Sequence, residues 1–253
     1  MSGEDWEVFK PMEYPKINSL YKREGCGVYN EEKHRYECDL EKKTRKSPLI
    51  IGDYACGEFS NVNRWTVTEK VDGTNVRVFF TRENGTPKLQ FLGRTDNAQF
   101  PTTLLSYLQE TFTIEKMDAQ FKDASYVILF GEGYGPKIQN GGYYRKDVGF
   151  ALFDVYINGW WLERTPVREI AMLLGIPHAV HLIHKDILGL YNAFWEIDEI
   201  VEYVKKKHFS MMTENETYKD PHVMEGIVAR SEPLMLFRNK LPVMFKLKCK
   251  DFE

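Results

Sequence analysis

The sequence predicts an α+β fold of mainly antiparallel sheets with peripheral helices, and three observations predict it. Apolar runs of strand length dominate the 253 residues. Segments with a 3.6-residue period sit between groups of strands instead of alternating with them one for one, which argues against a doubly wound fold. Hairpin-type turn signals separate neighbouring runs. With no internal repeat, low-complexity tract or long Pro/Gly/Ser linker, the chain reads as a single domain over 1–253, with 1–58 as an N-terminal segment packed on it or extending it.

The elements follow in order. Up to Glu58 the chain is mixed, with Tyr14-Pro15-Lys16-Ile17 as aromatic and proline punctuation and Glu41-Lys42-Lys43-Thr44-Arg45-Lys46 as a basic run. That run reads first as a solvated loop and second as a phosphate-contacting arm. Arg64 to Lys70, Val76 to Thr81 and Lys88 to Leu92 are three β patterns, with Asn84-Gly85 as a hairpin turn, and together they predict an antiparallel meander. Thr102 to Phe121 predicts one helix behind Pro101. Tyr126 to Phe130 is a nearly all-apolar strand covered on both faces, and Phe150 to Ile157 is another, turned by Asn158-Gly159 into Trp160-Trp161-Leu162. Thr165 is the expected cap of a helix that Gly175 stops, and a second helical region, interrupted near Trp195, is expected between Asp186 and Lys207. Gly226 to Arg230 and Met244 to Lys248 return to strand.

Hydrophobic residues at 43% and charged residues at 28% are ordinary globular usage, so a sizeable core can form. No apolar run approaches the length of a membrane helix, and the acidic start Met1-Ser2-Gly3-Glu4-Asp5 is unlike a signal peptide; the expected location is cytoplasmic, without membrane. The four cysteines form no CxxC pair and read as reduced thiols. Cys26, His34 and Cys38 lack a fourth partner at zinc spacing. A net charge of -3 leaves any nucleic-acid contact to local basic patches.

Chemistry collects where strands end, at Lys70, Arg94, Glu132, Glu225, Lys246 and Lys248. Lys70 stands between a strand and the turn Asp72-Gly73-Thr74-Asn75, a costly place for a strongly hydrated cation; taken singly it reads as an ordinary strand-edge charge, and one functional answer is a nucleophile. Lys246 and Lys248 lie i and i+2 on a strand, so both ammonium groups leave one face and need an anion between them and the rest of the site; a polyphosphate suits.

Five stretches carry a resemblance. Lys70-Val71-Asp72-Gly73, Phe130-Gly131-Glu132, Phe153-Asp154, Glu225-Gly226-Ile227-Val228 and Lys246-Leu247-Lys248 resemble, in order, motifs I, III, IIIa, IV and V of the covalent nucleotidyltransferase superfamily of polynucleotide ligases and mRNA capping enzymes. Gly73-Thr74-Asn75 and Gly135-Pro136-Lys137-Ile138-Gln139 resemble the nick-sealing RNA ligase branch in particular. The resemblance implies an ATP-grasp-like nucleotidyltransferase domain and a three-step reaction. Lys70 takes AMP from ATP, passes it to a 5′-phosphate end of RNA, and a 3′-hydroxyl displaces it. A lysine attacks only as the free amine, which cationic neighbours, a bound divalent cation and partial desolvation all favour.

By the same resemblance Lys70, Lys246 and Lys248 are catalytic, and Glu69, Asn75, Arg94, Glu132, Phe153 and Glu225 complete the nucleotide site. Glu132 would hold the ribose, Phe153 would stack on adenine, and Arg94 and Asn75 would place phosphate or its hydrated metal. Glu225 would help hold Mg2+ or Mn2+, bound mostly through phosphates and water. Phe150, on the other face of the same strand, is the competitor of Phe153. The expected substrate is a nicked or broken RNA duplex. The superfamily's C-terminal OB domain has no counterpart in the few residues given after Lys248, so the expectation is that the N-terminal segment and loop lysines grip the substrate, that a partner protein does, or that the chain as given is a fragment. DNA nick ligase, capping guanylyltransferase and a non-catalytic end-binding module are the alternatives.

His178, His181 and His184 recur every third residue, which on an extended strand alternates faces, so they read as solvated or structural. Lys205-Lys206-Lys207 reads first as a helix C-terminus.

Overall fold

The structure is a computed structural model that describes residues 11–24, 26–30, 35–38, 48–95, 98–140, 143–185, 191–214 and 222–253, with 26–30, 35–38, 184–185 and 191–192 described in backbone only. The basic run 41–46, His34, Gly141-Gly142, the N-terminal five residues and the side chains of Cys26, Cys38 and His184 therefore lie outside the described residues.

In chain order the first strands are β1 (Asn18–Ser19), β2 (Tyr21–Arg23), β3 (Cys26–Asn30), β4 (Arg35–Cys38), β5 (Leu49–Tyr54), β6 (Trp65–Glu69), β7 (Thr74–Glu83) and β8 (Thr86–Leu92). Helices α1 (Thr102–Thr111) and α2 (Ile114–Gln120) precede β9 (Tyr126–Tyr134), β10 (Gly149–Ile157) and β11 (Trp160–Trp161). Helix α3 (Arg164–Leu174), strands β12 (His184–Lys185), β13 (Tyr191–Asn192) and β14 (Phe194–Trp195), helix α4 (Ile197–Lys205), then β15 (Gly226–Ser231) and β16 (Met244–Lys248) complete the fold. The α+β class expected from sequence is the class observed. Among the described residues no helix is long and apolar enough to cross a membrane.

Contacts divide the chain into two compact units, one drawing on Met1–Pro15, Val71–Val180 and Met212–His222, the other on Lys16–Lys70, His181–Met211 and Val223–Glu253. The first unit contains the antiparallel sheet β11-β10-β9-β7-β8. Val127 and Leu129 of β9 join Val76, Val78, Leu104, Leu108, Phe112 and Phe150 in one core. Phe130 packs on the opposite side with Tyr14 and Trp161, so the short apolar run is covered on both faces as expected. Asn84 and Gly85, both at positive φ, turn β7 into β8.

The second unit is built on the sheet β1-β16-β15-β6-β14, antiparallel except for the short parallel pair β1 and β16. Every residue of β6 is buried, and Trp65 and Val67 share a core with Phe59, Ile227, Ala229, Phe245 and Leu247.

This topology overturns the expected meander. β6 and β7 do not pair but belong to different sheets. A strand buried along its whole length needs neighbours on both edges, and β6 finds them in β15 and β14; the Lys70 amide then continues the pairing by donating to the Gly226 carbonyl at 2.9 Å.

Other local expectations are corrected by caps and bridges. The helix expected over 102–121 is two, because Thr113 is extended and its side chain accepts from the Lys116 amide, starting a new helix. The helix at 164 is entered from Glu163 and not capped by Thr165, while Gly175 ends it at φ 66 as expected. Within 186–207 only Ile197–Lys205 is helical among the described residues: Trp195 pairs with Trp65, and Glu196 with Glu199 forms a capping box. His178 and His181 make isolated bridges to Leu152 and Thr68 in place of one extended strand. Removing the hinge cap by Thr113→Ala is expected to cost about 1 kcal/mol in a urea melt, with the nucleotide-site residues untouched.

Candidate active site

Three strands of the second unit bring their charged ends together. Gly226 faces Lys248 across β15 and β16, and Ile227 faces Glu69 across β15 and β6. A Cβ on Gly226 would lie 2.1 Å from the Leu247 carbonyl oxygen and 2.6 Å from the Lys248 Cα, so only glycine lets β15 start this close to β16. The peptide at Glu225-Gly226 ties both flanks: Gly226 O accepts from the Lys70 amide at 2.9 Å, and Glu225 O accepts from the Cys249 amide at 3.0 Å.

This backbone aims three side chains at one point. Lys70 Nζ lies 2.5 Å from Glu225 Oε2, and Lys248 Nζ donates to Glu225 Oε1. The Glu225 side chain is 11% exposed, and each lysine side chain 23%. Burial pushes the Glu225 carboxyl up, but Lys70 and Lys248 overcome that and hold it below the usual value of 4.5. For Lys248 the anion is thus supplied within the protein. Lys246, half-buried two residues before Lys248, leaves the same face of β16. Glu69 is 2% exposed, and its carboxylate accepts from the Ser210 hydroxyl and, at 2.8 Å, from the Met211 amide.

The first unit holds a second group. Asp72 donates its amide to Tyr144 Oη at 3.1 Å and accepts from Asn140 Nδ2 at 2.7 Å. A Cβ on Gly73 would stand 2.3 Å from the Gly133 carbonyl oxygen and 2.9 Å from Glu132 Cγ, so the turn after the lysine is pressed against β9. Asn75 and Ala151 are the two cross-strand partners of Glu132, placing all three on one sheet face. Asn75 Oδ1 is buried without a hydrogen-bond partner among the described residues, across the strand pair from the Glu132 carboxylate.

Phe153 occupies a β-bulge, where the pairing of β10 with β9 slips between Leu152 and Asp154. Phe150, Leu152 and Val155 enter the core, whereas the Phe153 ring meets Tyr14 at 4.8 Å, which separates it from Phe150. Tyr14 Oη donates to Asp154 Oδ2 at 2.5 Å, and Arg164 Nη1 reaches Asp154 Oδ1 at 3.2 Å and the Phe153 carbonyl at 2.6 Å. Arg94 stands apart, exposed in the loop after Gly93, whose carbonyl accepts from buried Arg77 Nε at 2.7 Å.

Lys70, Glu225, Lys246 and Lys248 therefore share one end of one sheet, and Asn75, Glu132 and Phe153 lie on another. Tyr14, Asp154 and Arg164 were missed as supports of Phe153; Tyr14-Pro15 and Phe153-Asp154 were visible, but nothing in their spacing links them. Among the described residues no group of three or more His, Cys, Asp or Glu is placed to hold a metal. One carboxylate flanked by two ammoniums fits a divalent cation that arrives with phosphate and takes most of its ligands from phosphate and water.

Because the Glu225 pKa is lowered by folding, its contribution to stability is present above the unfolded value near 4.5 and is lost as pH falls through the lower folded value. Urea melts across that window should show Glu225→Gln with a shallower acid-side loss than the parent; parallel curves would refute the coupling.

The sequence model of the family described as RNA ligase matches residues 63–248. No curated protein matches the chain in sequence. Among solved structures, a Naegleria gruberi RNA ligase mutant with ATP and Mn is 17% identical at a TM-score of 0.54, covering 94% of this chain and 64% of that one. Naegleria gruberi RNA ligase with PPi is 19% identical at 0.53, covering 76% and 51%. A further mutant with AMP and Mn is 19% identical at 0.52, covering 76% and 52%. The chain thus spans about half to two thirds of the length of these structures, and at such identities the likeness is one of fold. The family match spans most of the chain and contains all five motif stretches: this chain belongs to the RNA ligase family.

Proposed function

We propose that the chain is an ATP-dependent RNA ligase that joins 3′-hydroxyl and 5′-phosphate ends through a covalent Lys70–AMP. The observation that carries the reading is Lys70 at the end of a buried strand, 2.5 Å from Glu225, with Lys248 on the other carboxylate oxygen, in a chain of this family. The related Naegleria structures with ATP and Mn and with AMP and Mn support nucleotide and metal use by the same fold.

In this reading Lys70 gives up a proton to solvent, and its Nζ forms a bond to the α-phosphorus as the bond to pyrophosphate breaks, with the electron pair leaving on pyrophosphate and a second proton passing from Nζ to solvent to leave a neutral phosphoramide. Lys246 and Lys248 meet the negative charge that builds on the phosphoryl oxygens, in the sheltered setting where a fixed cation counts most. Glu225 keeps Lys70 and Lys248 apart and aimed, and its carboxylate would help hold a divalent cation that arrives with phosphate. That divalent cation, Mg2+ or Mn2+, would neutralise phosphate charge. Glu132 and Asn75 offer polar atoms for the ribose and for phosphate or its hydrated metal, and Phe153 offers a ring to adenine. Glu69 contributes through its backbone position, since its carboxylate is engaged by Ser210 and Met211. The same cations suit the later steps, in which AMP passes to a 5′-phosphate and a 3′-hydroxyl displaces it. A nicked or broken RNA duplex is the proposed substrate.

Incubation with α-labelled ATP and Mg2+ should label the parent protein covalently and leave Lys70→Ala unlabelled; label that survives this substitution overturns the assignment. Lys248→Ala should remain folded and label about 100-fold to 1,000-fold more slowly, the loss seen when one charge-stabilising donor is removed. Labelling by GTP and not ATP would favour a capping enzyme.

A further inference from the structure

We infer that Asp251, fixed by Arg23, is the positioning residue that sets the direction of Lys248; the inference rests on the reading of Lys248 as a phosphate-holding cation. All three residues, with Glu225 and Lys70, belong to the second unit. Neither Arg23 nor Asp251 lies within the stretch that matches the family.

The need for such a residue follows from the sheet. β16 has β15 on one edge and β1 on the other, but β1 runs alongside only at Phe245 and Lys246. At Lys248 the neighbouring strand has ended, and the amide finds its acceptor three residues on: Asp251 Oδ2 at 3.0 Å. The chain turns there into a short 3-10 helix, Cys249–Phe252. The other carboxylate oxygen, Oδ1, accepts from Arg23 Nη2 at 2.6 Å.

The Asp251 side chain is 2% exposed, and a carboxylate that deep is stable only when paired and hydrogen-bonded. It therefore acts as a fixed strut between β2 and the end of β16. On the other side of the same chain turn, the Cys249 amide is held by the Glu225 carbonyl at 3.0 Å. Two consecutive amides, Lys248 and Cys249, are thus clamped, one by Asp251 and one by the residue whose carboxylate receives Lys248 Nζ. Without Asp251 the Lys248 amide is free to turn, and the long stem above it samples more rotamers. A misplacement of about 1 Å at a reacting phosphate costs on the order of 100-fold in rate.

The test is single-turnover labelling with α-labelled ATP, alongside ATP affinity, thermal melting and amide hydrogen exchange at Lys248. Asp251→Ala should slow labelling by about 100-fold, with ATP affinity little changed, and expose the Lys248 amide to exchange. Asp251→Asn, whose amide oxygen still accepts from Lys248, should recover most of the rate and the protection. Arg23→Ala, at a side chain 26% exposed, serves as a milder second variant and should fall between them. In a Lys248→Ala background, Asp251→Ala should add little, since two residues that act through one group are not additive. Losses that multiply in the double variant, or a rate that follows only the fraction of folded protein, overturn the positioning role alone. A parent protein that takes no label overturns the adenylylation reading, and this inference with it.

Discussion

One carboxylate between two ammoniums is the constraint on which the catalytic end of the second unit depends. Lys248 on β16 and Lys70 at the end of β6 would repel one another; Glu225, at the entry to β15, the strand between them, supplies the compensating charge. The arrangement is local and backbone-built. Lys70, Glu225 and Lys248 are held by amides and carbonyls at the ends of adjacent strands, so strand register alone fixes which side chains meet. A cluster made this way is already assembled when a phosphate arrives, which is the preorganisation that phosphoryl chemistry asks of a protein.

The glycines of the motifs have physical reasons of the same kind. Gly73 is pressed against Gly133, and Gly226 against Leu247 and Lys248, at distances no Cβ could occupy. Each stands beside a charged residue of the site, so the close approach that demands glycine also brings the charge to its place. The acidic residues at the end of β6 and at the entry to β15 differ sharply. Glu225 keeps its carboxylate at the lysines, whereas Glu69, adjacent to the nucleophile in sequence, sends its carboxylate to Ser210 and Met211.

Legibility followed the range of the interactions. Strands β9, β10, β15 and β16 were readable because short apolar runs and i, i+2 charge pairs are local patterns. The end of β6 misled: a lysine followed by Asp-Gly-Thr-Asn has the composition of a hairpin turn, and only burial of both edges of β6 reveals that the chain is changing sheets. Helix ends were misplaced where a side chain three residues away decides the cap, as at Thr113 and Glu196. Lys70, Glu225 and Lys248 could be named from type and spacing, but Arg23, Asp251 and the Tyr14–Asp154–Arg164 support could not. Their partners lie 228, 140 and 10 residues off, and no periodicity encodes those distances.

The bulge at Phe153 carries a lesson about sequence change. Inward residues of β10 are spaced by two from Phe150 to Leu152 and by three from Leu152 to Val155. Loss of that extra residue would restore even alternation with Leu152 and Val155 still inward and Asp154 still on the side of Tyr14, but would take away the ring that Phe153 presents there. The extra residue is thus what lets β10 keep its alternation into the core and still set one more aromatic ring on the opposite side, beside Tyr14.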